Sequence, residues 1–72
     1  MQERGDDMRI DNKKFEIAMA EACLSVNELS KQSGVNIVTL TKLRKGKQEL
    51  MPKTVGKISK ALGVPVEELI EK

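Results

Sequence analysis

The chain of 72 residues contains no histidine, one cysteine and one aromatic residue, and each shortage removes a class of chemistry. Without histidine, neither a Cys–His nor a Ser–His nucleophilic pair can form, because the general base is missing. Cys23 is the only thiol, so no disulfide framework and no zinc site can be built within one chain. A lone cysteine suits a reducing cytoplasm and serves most simply as a small packing residue. With Phe15 as the sole aromatic, the chain lacks the stacking platforms of single-strand nucleic-acid binders. No uninterrupted apolar run exceeds four residues, even with glycine counted, so neither a membrane span nor a signal-peptide core is expected.

What remains is an ordinary globular balance, with 33% charged and 39% hydrophobic residues. That is too apolar and too near neutral for a wholly disordered chain. The net charge of +2 conceals an uneven distribution. Residues 42–60 hold Lys42, Arg44, Lys45, Lys47, Lys53, Lys57 and Lys60 against Glu49 alone, a net of +6. Residues 1–11 and 61–72 each carry a net of −2, and residues 12–41 balance. One segment is basic and the rest is not, which directs attention to an anionic partner for that segment.

Residues 1–10 show no apolar period and read as a flexible N-terminal arm, followed by one domain over residues 11–72. No internal repeat and no alternating strand pattern is evident, and the domain reads as five short helices. The first spans Asn12 to Ala22, capped by Asp11 or Asn12, with Phe15, Ala18, Met19 and Ala22 on one face. The second starts with a capping box, Ser25-Val26-Asn27-Glu28, and ends near Ser33 because Gly34 tolerates positive φ. The third runs from an Asn36 cap to Gly46, and its spacing allows Ile37, Leu40 and Leu43 to face inward. The fourth opens at Pro52, buries Val55, Ile58 and Leu62, and stops at Gly63. A fifth starts at Pro65 and directs Val66, Leu69 and Ile70 to the core.

Residues 25–46 are the informative piece, because two short helices joined by a glycine-containing turn form a helix-turn-helix unit. Leu29, Val35, Leu40 and Leu43 lock the pair together, so the outer face of the second helix projects from the body. A projecting helix fits the B-DNA major groove, which is about 12 Å wide. The basic segment begins on that helix and continues into the next loop, where lysines can neutralise phosphates.

These residues resemble the lambda-repressor-like, Cro/cI-type helix-turn-helix domain of the XRE family. The resemblance is carried by Leu24-Ser25, Glu28-Leu29, Gly34-Val35, Leu40, Arg44-Lys45-Gly46-Lys47, Lys60-Ala61-Leu62-Gly63-Val64 and Glu67-Glu68-Leu69, in order along the chain. It implies an all-α, compact five-helix bundle that binds double-stranded DNA, commonly as a homodimer on a two-fold operator. By the family pattern, Asn36, Ile37, Val38, Thr41 and Lys42 fall on base-reading positions. Ser25, Asn27, Thr39, Arg44, Lys45, Lys47 and Lys53 fall on or beside positions that meet the DNA backbone. Four departures are visible, the first being Ile37 and Val38 where family members often have polar or basic residues. Ser30 replaces a common alanine, and Cys23 stands where glycine is frequent, which implies slight strain at the exit of the first helix. Met19 and Arg44 occupy the places of a family ion pair, so that pair is expected to be absent and Arg44 free for phosphate.

Plainer explanations stand beside each of these. Loop lysines are solvated by default, and Lys53, Lys57 and Lys60 also give a helix buried along Val55 and Ile58 its soluble side. Asp6-Asp7 and Glu67-Glu68 suggest no acid–base chemistry, since nothing pairs with them and Glu67-Glu68 suits a helix first turn. Leu50 and Met51, with Val66 and Ile70, either close the core or form a dimer surface. The sequence thus points to a bacterial or phage-type transcriptional regulator that is cytoplasmic and not an enzyme, with no metal, cofactor, membrane or small-molecule substrate. The alternative is a protein-binding adaptor, such as an antitoxin or anti-repressor, using Ile37 and Val38 against a partner helix.

Overall fold

The computed structural model describes residues 8–46 and 48–71. The chain runs β1 (Met8–Ile10), α1 (Asn12–Ala22), α2 (Val26–Ser33), α3 (Ile37–Lys45), β2 (Gln48–Leu50), α4 (Pro52–Leu62) and a 3₁₀ turn at Val66–Glu68. α2 packs on α4 and α3, and α3 also packs on α1. The core gathers Ile10, Phe15, Leu29, Leu40, Leu43, Val55, Ile58 and Leu69, all fully buried.

Local chemistry accounts for the helix limits. Asp11, not Asn12, caps α1: its Oδ1 accepts from the backbone N–H of Lys13 at 2.9 Å and of Lys14 at 3.2 Å. The α2 capping box is complete, with Glu28 N–H donating to Ser25 Oγ at 3.1 Å and Ser25 N–H donating to Glu28 Oε1 at 2.9 Å. Gly34 and Gly63 take φ of 77° and 74° and close α2 and α4. Both closures share a device: Ser30 Oγ donates to Val35 O at 2.7 Å and Ser59 Oγ to Val64 O at 2.9 Å. The sequence around them, Ser-Lys-x-x-Gly-Val, occurs at 30–35 and at 59–64, a short internal repeat where none was expected.

Cys23 closes α1 in the left-handed region, at φ 58°, with Leu24 N–H reaching back to Met19 O at 3.1 Å. It is exposed, so the expected packing role is wrong and the expected strain is present. A non-glycine residue pays about 1–2 kcal/mol for that conformation, whereas glycine pays only in unfolded-chain entropy. Cys23→Gly should therefore raise stability by about 0.5–1 kcal/mol in urea denaturation. An unchanged or lower midpoint would show that the surrounding structure relieves the strain.

Two expected elements also fail, both at the ends of the domain. Residues 8–10 are not part of a flexible arm: β1 pairs antiparallel with β2, Met8 opposite Leu50, Arg9 opposite Glu49 and Ile10 opposite Gln48. The rest of the expected arm lies outside the described residues. Arg9 Nη2 meets Glu49 Oε2 at 2.8 Å, and this hydrogen bond, then the charges of Glu49 and Glu71, raises the guanidinium further above its ordinary pKa. The fold is therefore not strictly all-α. Nor is there a fifth α-helix among the described residues. The segment after Pro65 makes one 3₁₀ turn, after which Ile70 bridges Ile10 and Glu71 N–H bonds Arg9 O at 2.8 Å. Pairing with β1 takes the backbone groups that a longer helix would have used. Leu50, Val66 and Ile70 pack half-buried on the core, as the core-closing alternative required, while Met51 is 64% exposed.

Candidate nucleic-acid interface

α3 presents two chemically different faces. Leu40 and Leu43 are fully buried, while Val38, Thr41, Lys42 and Lys45 are exposed. The exposed four are spaced i, i+3, i+4 and i+7, so they lie along one side of the helix. Lys42, Arg44 and Lys45 occupy the last turn, where positive charge also complements the helix dipole. Val38 is 57% exposed, an apolar group at the outer surface with a cation one turn on.

Hydrogen bonds limit what several of these groups can still offer. Asn36 Oδ1 accepts from Val38 N–H at 2.7 Å as the α3 cap, which leaves the side-chain amide NH₂ as its outward donor. A bidentate match to adenine needs both the acceptor and the donor of an asparagine. Thr41 Oγ1 donates to Ile37 O at 2.9 Å, so its hydroxyl faces outward only as an acceptor. Thr39 is half-buried. The side chains of Lys42 and Lys45 enter no hydrogen bond or ion pair among the described residues.

A shallow cavity of about 430 Å³ lies where the head of α2 meets α1 and α3, lined by Glu16, Ser25, Val26, Asn27, Ile37, Thr41 and Arg44. Ile37 is 39% exposed and belongs to this cavity, so it turns neither fully inward nor out beside Val38. At the α2 start, Ser25 N–H is committed to Glu28, so Ser25 can donate only through its hydroxyl. The amides of Val26 and Asn27 keep the outward aim of a helix first turn, a geometry suited to an anion. Asn27 and Lys53 are exposed. Lys47 lies outside the described residues.

Arg44 is not free. Its Nε sits 3.3 Å from Glu16 Oε2, tying α3 to α1. The expectation of a missing ion pair rested on Met19. Glu16 lies three residues earlier on the same face of α1, within reach of a long arginine side chain. Glu16 is thus the site residue that sequence reading passed over.

A family model described as a Cro/C1-type HTH DNA-binding domain matches residues 14–71. A comparison with curated proteins finds no match. Among solved structures, a hydroxyethylphosphonate dioxygenase mutant is similar at a TM-score of 0.78 and 22% identity, over 90% of this chain. The chain spans 14% of that protein's length, and at this identity the likeness is one of fold.

Proposed function

Because the chain belongs to the Cro/C1-type helix-turn-helix DNA-binding family, we propose that it is a sequence-specific, double-stranded DNA-binding regulator whose α3 enters the major groove. The observation that carries this reading is the two-faced α3. Its buried Leu40 and Leu43 hold the helix on the bundle while Val38, Thr41, Lys42 and Lys45 stand in solvent. In this reading Val38 and Ile37 offer methyl contacts to thymine, Lys42 donates to guanine, and Asn36 and Thr41 supply a single donor and a single acceptor. Ser25, Asn27 and Lys45 fix the register through phosphates, supported by Thr39, Lys47 and Lys53. Members of such a family typically act by binding and not by turnover. No helix among the described residues is long and apolar enough to cross a membrane.

The test is selection of duplexes from a random pool, followed by gel shifts at two salt concentrations beside a pull-down. A defined consensus supports the reading, and a palindromic one supports binding as a homodimer. Absence of any shift at low salt, with a stoichiometric protein partner captured instead, would favour the adaptor. Lys45→Ala should weaken all duplexes alike and reduce the slope of log K against log salt by about one. A loss confined to the selected site would move Lys45 from the backbone to a base edge.

A further inference from the structure

We propose that Glu16 limits the affinity of the DNA-binding face by occupying Arg44, so that a phosphate must displace it. The proposal rests on the DNA-binding reading above. Two cavities flank α3, one lined by Ser25, Asn27, Thr41, Arg44 and Glu16, the other by Thr41, Arg44, Lys45 and Glu16. Among the described residues, Glu16 is the only carboxylate in either lining. It therefore stands between the two groups expected to hold the DNA backbone, the head of α2 and the end of α3, where negative charge opposes an approaching duplex.

The pair it forms is one that phosphate can break. The hydrogen bond runs through Arg44 Nε at 3.3 Å, which leaves both terminal NH₂ groups outside it. The two side chains are 52% and 48% exposed, and ion pairs open to solvent to this degree contribute little. A phosphate offers the planar guanidinium a bidentate, charge-assisted contact that a single Nε bond does not match. Held by Glu16, Arg44 adds nothing to the positive field of the unbound face; released, it adds one phosphate contact.

The experiment compares the full chain with Glu16→Gln, Arg44→Ala and the double variant, each checked for helicity by circular dichroism. Each is titrated with a selected and a random duplex across a salt series. Glu16→Gln should bind both duplexes about three- to tenfold more tightly at low salt, a gain that narrows as salt screens the removed charge. Arg44→Ala should remove most of that gain in the double variant. Unchanged or weaker binding by Glu16→Gln overturns the proposal and makes Glu16 a residue that orders Arg44. A gain that persists in full without Arg44 overturns it too, since Glu16 would then act by its own charge alone. Should Glu16→Gln fail to fold, Glu16→Ala carries the same expectation. If the unmodified chain shifts no duplex at low salt, the DNA-binding reading itself falls, an outcome distinct from failure of the variant alone.

Discussion

Phe15→Ala should lower stability by about 3–5 kcal/mol, the largest loss expected of any single substitution in this core. Phe15 is the single aromatic residue and heads the fully buried side chains by volume. A domain of this length holds a total stability on the order of 4–10 kcal/mol, so the loss consumes a large share of it. The effect reaches function through α1, because α3 packs on α1 and is presented to solvent by it. Urea denaturation followed by circular dichroism would measure the loss. DNA binding should fall with the folded fraction and equally on every duplex, with no change in base preference. Phe15→Leu should cost less, about 1–1.5 kcal/mol, because the smaller volume change leaves a smaller cavity. A midpoint for Phe15→Ala close to that of the unmodified chain would mean that Ala18, Met19 and their neighbours collapse into the space.

The four α-helices were legible because their limits are set by side chains acting on their own backbone. Ser25 with Glu28, Asn36, Gly34, Gly63 and Pro52 each mark a boundary within a few residues of themselves, so a local reading finds them. The buried stripes were legible for the same reason, since Leu40 with Leu43 and Val55 with Ile58 repeat at helical spacing. What escaped depends on distant partners. A three-residue strand offers barely one alternation, and Met8-Arg9-Ile10 becomes a strand only because Gln48–Leu50 and Ile70 lie beside it. The same pairing ends the last helix after one turn, where local sequence alone would have let it continue. The Glu16–Arg44 pair joins residues 28 positions apart, beyond any helical spacing rule. In the candidate interface, sequence named most of the exposed residues of α3. It did not reveal that Asn36 spends its carbonyl oxygen on the helix cap or that Thr41 spends its proton on Ile37 O. Those commitments exist only once the backbone is in place, and they narrow the donors left for a base edge.

In the proposed reading, that narrowing gives Lys42 the central role in readout. Lys42→Ala should weaken binding to the selected duplex by about 1–3 kcal/mol and relax preference at one base position. The other outward groups of α3 have less to offer a base edge. Val38 and Ile37 offer only methyl contacts, Asn36 retains one donor, Thr41 retains an acceptor, and Arg44 is engaged by Glu16. Lys42 lies one turn after Val38 on the exposed side and carries a charged donor engaged by nothing else among the described residues. An ammonium there can donate to the O6 and N7 acceptors that guanine presents in the major groove. Lys45, one turn nearer the helix end, serves as the internal comparison, because a phosphate contact there is blind to sequence. Repeating the random-pool selection with Lys42→Ala would read the result directly. One position of the consensus should lose its guanine while the others persist, and binding to random duplex should fall much less than binding to the selected site. Equal losses on both duplexes would make Lys42 another backbone contact and transfer readout to the methyl groups of Ile37 and Val38.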